Sequence, residues 1–248
     1  MPAATKHRTP TNPRGLKDLP FKVPEVTKAA KARARRIVAA LEEHHGDAYC
    51  ELDYTQPHEL LIATILSAQA TDVGVNKATP GLFKAFRTPA DYAAATPKKI
   101  EPYIKTIGLF RNKAKAVHSA MTDLVERYDN QVPADMDELL TLRGVARKTA
   151  NVVLGNVFNI NVGFVVDTHV DRVSKRLGLC DASMNPQQIE RRLCALMPRE
   201  KWCDLSHQMI FHGRRACKAR GGSCESHPIC KTFGKLRKGR HAVDAELI

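Results

Sequence analysis

Between residues 26 and 216 the chain repeats one pattern: short stretches with apolar side chains three and four apart, closed off by prolines. That spacing gathers apolar groups on one face of a helix, because an α-helix turns once in about 3.6 residues. Helices are expected over 26–43, 59–70, 75–86, 89–95, 97–106, 111–128, 135–141, 147–158, 168–178, 186–196 and 203–216. Pro80, Pro89, Pro97, Pro133, Pro186 and Pro198 fall near their ends, where a missing N–H does least harm. Segment 59–70, ELLIATILSAQA, is apolar around most of its circumference and is expected to be a buried central helix. Strand-like alternation is confined to 162–166, too short to build a sheet. The expected fold class is therefore all-α. Hydrophobic residues make up 43% of the 248, enough for a sizeable core, so disorder throughout is excluded. No apolar run reaches the roughly 18 residues of a membrane span.

Charge narrows the partners. Lys and Arg number 39 against 26 Asp and Glu, a formal net charge of +13. The excess lies at the two ends: residues 1–36 hold ten basic side chains against two acids, and 214–240 hold nine against Glu225 alone. Such an excess fits a polyanion such as nucleic acid, although an anionic membrane surface gives the same sum. Residues 1–20 are basic, broken by four prolines and without the apolar stretch of an export signal. A flexible tail and a cytoplasmic, nucleoid-associated protein are expected. Seven cysteines, an odd number, point to reduced thiols or a metal site rather than a disulfide framework.

The most informative segment is 137–158, DELLTLRGVARKTANVVLGNVF. It reads as a short helix, a turn from Leu142 to Ala146 and a second helix from Arg147. Gly144 supplies the backbone freedom of a tight turn. A turn feeding a helix N-terminus aims free N–H groups outward, where they can hold a phosphate of the DNA backbone. A plain connection between two helices has the same pattern. Lys148 lies in the first turn of the second helix, where the helix dipole disfavours a positive charge and so favours an amine nucleophile. A solvated lysine or one more phosphate contact is the simpler reading. Asp167, nineteen residues on, ends an apolar run and precedes a helix, so it reads as an N-cap, and equally as a carboxylate partner for Lys148.

At these residues the sequence resembles the endonuclease III family, bifunctional DNA base-excision glycosylases of the helix-hairpin-helix superfamily. The matching blocks are SAQATDVGVNKAT at 67–79, IGLFRNKAKA at 107–116, GVARKTANVVLGN at 144–156, VDTHVDRVSKRLGL at 166–179 and HGRRAC at 212–217. They come in family order and span 50–230. The resemblance implies two helical domains: a six-helix barrel with the hairpin over 50–160, and a discontinuous second domain from 21–49 and 161–248. DNA would lie between them. Lys148 matches the Schiff-base lysine and Asp167 the catalytic aspartate. Gln69 is similar to the residue that fills the gap left by the flipped nucleotide, and Leu109 to the wedge inserted opposite. Gly144, Ala146, Arg147 and Thr149 would contact the DNA backbone, while His169 and Asp72 would line the pocket. The implied partner is double-stranded DNA with oxidised pyrimidines or abasic sites, bound by a monomer with no membrane involved.

The chain departs from the family pattern at three points. The hairpin reads LRGVA where the family has LPGVG. Arg143 thus replaces proline, and Ala146 replaces a glycine, adding a Cβ and resisting a positive φ, so looser DNA contact is expected. The family ends in C-x6-C-x2-C-x5-C, four thiolates on a four-iron, four-sulfur cluster. Here Cys217 and Cys224 keep the first spacing, His227 takes the third position, and Cys230 follows too soon. Aligned from the other end, Gly221 stands where a cysteine should be. The expected set is Cys217, Cys224, His227 and Cys230, with three readings open: a cluster on an incomplete ligand set, a Cys₃His zinc site, or no cofactor. Cys50, Cys180, Cys194 and Cys203 are expected to be ordinary packing.

Two rivals differ in chemistry. An adenine-specific mismatch glycosylase of the same superfamily would lack Lys148. A non-catalytic damage-binding protein would have no need of Lys148 and Asp167 together.

Overall fold

The computed structural model describes residues 19–220, 222 and 224–234, and the backbone of 236–237 and 240–241. Most of the expected basic tail at 1–20, and Gly221, lie outside the described residues. Among the described residues the chain is helical, apart from an antiparallel ladder pairing Leu236 with His241 and Arg237 with Arg240. The chain divides into two compact units, 50–160 and the remainder.

The 50–160 unit is built around α2 (Pro57–Leu66), whose residues from His58 to Leu66 are all buried. Pro57 opens it, and Glu59 completes a capping box by accepting from the Gln56 N–H at 3.0 Å. Around α2 pack α3 (Asp72–Ala85), α6 (Phe110–Arg127) and α8 (Arg147–Phe158). The short α4 (Pro89–Ala93) and α5 (Pro97–Ile104) lie against α6, and α7 (Met136–Thr141) against α8. A helix apolar on all sides has to be enclosed on all sides, which this arrangement achieves.

The sequence pattern carried α2 on to residue 70, but the helix stops at Leu66. Ser67 donates its hydroxyl to the Thr64 carbonyl at 2.9 Å, and Ala70 N–H bonds the Ser67 carbonyl at 3.0 Å. Thr71 then caps α3 by accepting from Gly74 N–H at 3.1 Å. A new helix start so close forces the chain to turn through Ser67, Ala68, Gln69 and Ala70.

The other unit holds α1 (Lys28–His45), α9 (Thr168–Arg176), α10 (Pro186–Leu196), α11 (Trp202–Arg215) and α12 (Pro228–Phe233). α12 was not expected from the pattern; proline at its first position and His227 as cap start it. α1 packs on α10, α11 and α12, so residues far apart in sequence share one core. Arg33 ties them further, its Nε donating to the Leu177 carbonyl at 3.1 Å. Trp202 is fully buried, and its Nε1 donates to the Met197 carbonyl at 3.1 Å. The strand-like run 162–166 is coil, with Val162, Phe164 and Val165 buried.

Candidate functional site

The turn between α7 and α8 takes its shape from one residue. Gly144 has φ +83°, and a Cβ there would stand 3.0 Å from the Ala116 Cβ of α6. Leu142 and Val145 on either side are buried, anchoring the turn to the core, while Arg143, Gly144 and Ala146 are exposed. Ala146 is extended at φ −94°, ψ 168°, so the expected conflict with a positive φ does not arise: Gly144 alone takes the left-handed step. No side chain of Ala146 caps α8. At the head of α8, Lys148 is exposed, Arg147 half-buried and Thr149 buried.

Gln69 and Leu109 share an unusual property. Both are exposed, Leu109 by 62%, and both hold left-handed backbone, with φ 55° and 59°. Among the described residues the other non-glycine positions at positive φ are Asp129, Asn130 and Asn159, types that tolerate it. A leucine there costs roughly 1–2 kcal/mol. Gln69 follows the last turn of α2, and Leu109 is the residue before α6. Asp72, in the first turn of α3, is half-buried.

In the other unit Asp167 caps α9. Its Oδ1 accepts from the N–H groups of His169 and Val170, each at 2.8 Å, leaving Oδ2 outside the cap. His169 is half-buried, its Nδ1 3.1 Å from Arg172 Nη2, which also donates to the Gly213 carbonyl at 2.9 Å. Gly213 is needed for this contact of α9 with α11, since a Cβ there would come within 2.9 Å of the His169 Cβ. His207 on α11 lies near Asp167. Burial pushes its pKa down to about 4, and the Asp167 charge works the other way.

The cysteine-rich end forms a second cluster. Cys217, Cys224 and Cys230 are buried. The hydrogen bond to Cys217, and then burial, push the Cys230 thiol far up; burial and then Cys217 push Cys224 up. His227, expected among these sulfurs, stands instead with imidazoles: its ring stacks on His45 at 5.6 Å and meets His212 edge-on at 4.7 Å. Its Nδ1 accepts from Ile229 N–H at 3.3 Å. His212, absent from the expected set, has Nε2 3.3 Å from Cys230 Sγ. Its placement in HGRRAC, five residues before Cys217, was the available signal. The donor set is therefore not the four thiolates that a four-iron, four-sulfur cluster takes in the family pattern; three thiols stand with an imidazole. Cys194 on α10 and Cys180 beyond the end of α9 are buried, and Cys50 and Cys203 are half-buried.

Residues 62–199 match the family described as HhH-GPD superfamily base excision DNA repair protein. The endonuclease III of Synechocystis is 48% identical over 81% of this chain and 92% of its own length. The endonuclease III of Escherichia coli K12 is 41% identical over 83% and 98%. A solved structure of a trapped endonuclease III–DNA covalent intermediate superposes with a TM-score of 0.79 at 40% identity, covering 90% of this chain and all of that one. A thermostable thymine-DNA glycosylase, at 20% identity and a TM-score of 0.73, shares the fold. With this agreement across sequence and architecture, the chain belongs to the endonuclease III family of the HhH-GPD base excision repair superfamily.

Proposed function

We propose that this chain excises oxidised pyrimidines from duplex DNA and cuts the resulting abasic site, acting as a monomer. DNA glycosylase and lyase activity rests on membership of the endonuclease III family. The assignment of residues rests on one observation: Lys148 and Asp167 each stand at the head of a helix, α8 and α9. The residues around them supply what this chemistry requires.

A base within the stack is out of reach at C1′, so the nucleotide must be flipped out, at a cost of a few kcal/mol that is least for damaged bases. Gln69 and Leu109, exposed and held by left-handed backbone, would occupy the vacated space. The head of α8, which has no side-chain cap from Ala146, and the Gly144 turn would grip the DNA backbone, aided by Arg143 and Arg147. As the glycosidic bond breaks, positive charge grows on the sugar, and the Asp167 Oδ2 left outside the cap is the oxygen available to stabilise it. The Lys148 amine bonds to C1′ while the base departs with the bonding pair and takes up a proton. Loss of an amine proton and opening of the sugar give an imine. Removal of a C2′ proton then expels the 3′ phosphate oxygen, cutting the strand.

The test is borohydride trapping on duplex DNA containing thymine glycol. The unsubstituted chain should form a covalent adduct, and Lys148→Ala should form none. A chain that binds the duplex without adduct or nicking would instead be a damage-binding protein, and the proposal would fall.

A further inference from the structure

His212 on α11, Cys217 just beyond it and Cys230 on α12 are fully buried, and their donor atoms all lie within 4.8 Å of one another. Around one tetrahedral ion with bonds of about 2.0–2.3 Å, neighbouring donors stand about 3.3–3.8 Å apart. The 3.3 Å between His212 Nε2 and Cys230 Sγ is an edge of that size. A four-iron cluster spreads its ligands over four separate irons, so they stand further apart than donors to a single ion.

The surroundings point the same way. His212 turns its other nitrogen, Nδ1, to Nε2 of His45 at 3.1 Å. An imidazole that donates from Nδ1 keeps its Nε2 lone pair for a metal, and metal-binding histidines are oriented through such outer contacts. Arg176, itself buried, brings Nη1 to 3.4 Å from Cys217 Sγ and to 2.7 Å from the Lys218 carbonyl. A guanidinium facing a buried sulfur can give a charge-assisted hydrogen bond to a metal-bound thiolate.

We propose that this chain holds one tetrahedral, redox-inert ion of the zinc type on His212, Cys217 and Cys230, where its relatives' pattern calls for an iron–sulfur cluster. Cys224 is buried in the same loop, but its sulfur lies outside the group whose donors all stand within 4.8 Å of one another, so the fourth position is left to a water molecule. His227 stays outside, occupied as the cap of α12. Binding replaces two thiol protons by the ion, and two thiolates with a dication and a neutral imidazole leave no net charge on the site beside Arg176. The ion would pin α12 and the cysteine loop to α11. The site stands apart from the Lys148 chemistry, so either proposal can fail without the other.

The test uses the full chain, purified without a histidine tag under reducing, anaerobic conditions. Elemental analysis should find about one zinc per chain and almost no iron, as a mononuclear site demands. After removal of the zinc, added cobalt should give the visible bands of tetrahedral thiolate coordination in the unsubstituted protein, a readout that needs no variant. His212→Ala and Cys217→Ser should each lose zinc to a chelator at least tenfold faster, while His227→Ala should keep it. Brown protein with iron and sulfide, or protein that takes up neither zinc nor cobalt, would overturn the proposal. Zinc retained unchanged by His212→Ala would overturn the ligand assignment.

Discussion

Leu109 is a leucine where the backbone would accept glycine more readily, and it is exposed. On the proposed function that choice serves as a wedge in DNA. Leu109→Gly relieves roughly 1–2 kcal/mol of left-handed strain and adds about 0.5–1 kcal/mol of backbone entropy cost. Urea unfolding should therefore show equal or slightly higher stability, while excision falls at least tenfold. Equal excision by the glycine variant would remove Leu109 from the wedge role. Asp167 permits a complementary separation. Asparagine caps helices as well as aspartate, so Asp167→Asn should change stability by only a few tenths of a kcal/mol. Its loss of charge should still cut excision severely, with the shape of the helix start intact. Asp167→Ala should in addition lose about 1 kcal/mol of stability, measured by the same unfolding.

At the scale of elements, α9 depends on its contact with α11. Gly213→Ala places a methyl 2.9 Å from the His169 Cβ, and because that neighbour is fixed to the backbone, the helices must separate. We expect a stability loss of about 1–3 kcal/mol and slower excision, as the end of α9 that carries Asp167 shifts. Unchanged melting would show that the contact yields freely. Most helices were legible in the sequence because their apolar spacing survives any tertiary context. The end of α2 was not: ELLIATILSAQA continues the apolar run, and only the start of α3 at Thr71 and Asp72 forces the turn that puts Gln69 in left-handed backbone. The helix starts that carry Lys148 and Asp167 were legible in their blocks. His212 could not be placed beside Cys230, because the approach of α11 to the cysteine loop is a tertiary fact with no local pattern. The expected φ conflict at Ala146 does not arise for a related reason, since motif spacing does not say which residue of LRGVA takes the positive φ.

At the scale of the molecule, each unit carries a histidine held neutral by its surroundings. Burial lowers the pKa of His58 in the 50–160 unit, against the opposing pull of Glu59, and takes His207 in the other unit to about 4. In the unfolded chain both should take up protons near their ordinary value, about 6.5. The unfolded state therefore binds more protons in acid, and stability falls as pH drops below about 6.5, for His207 until about pH 4. Above pH 6.5 this contribution is complete. Urea midpoints at pH 7.5 and pH 5 should show the loss, and His207→Gln should make it smaller. An unchanged midpoint would mean that these rings are protonated at little cost in the fold. Among the described residues no helix is long and apolar enough to cross a membrane.

The division of the chain also has a consequence for its synthesis. Residues 50–160 form one continuous stretch, so that unit has all its packing partners once residue 160 has left the ribosome. α1, made earlier, must wait for α10, α11 and α12 before its apolar face is covered. Among the described residues, the first helix to be translated is thus among the last to be buried. A nascent chain stopped after residue 160 should expose Ile37, Val38 and Leu41 to chaperones while its later-made neighbour is already folded.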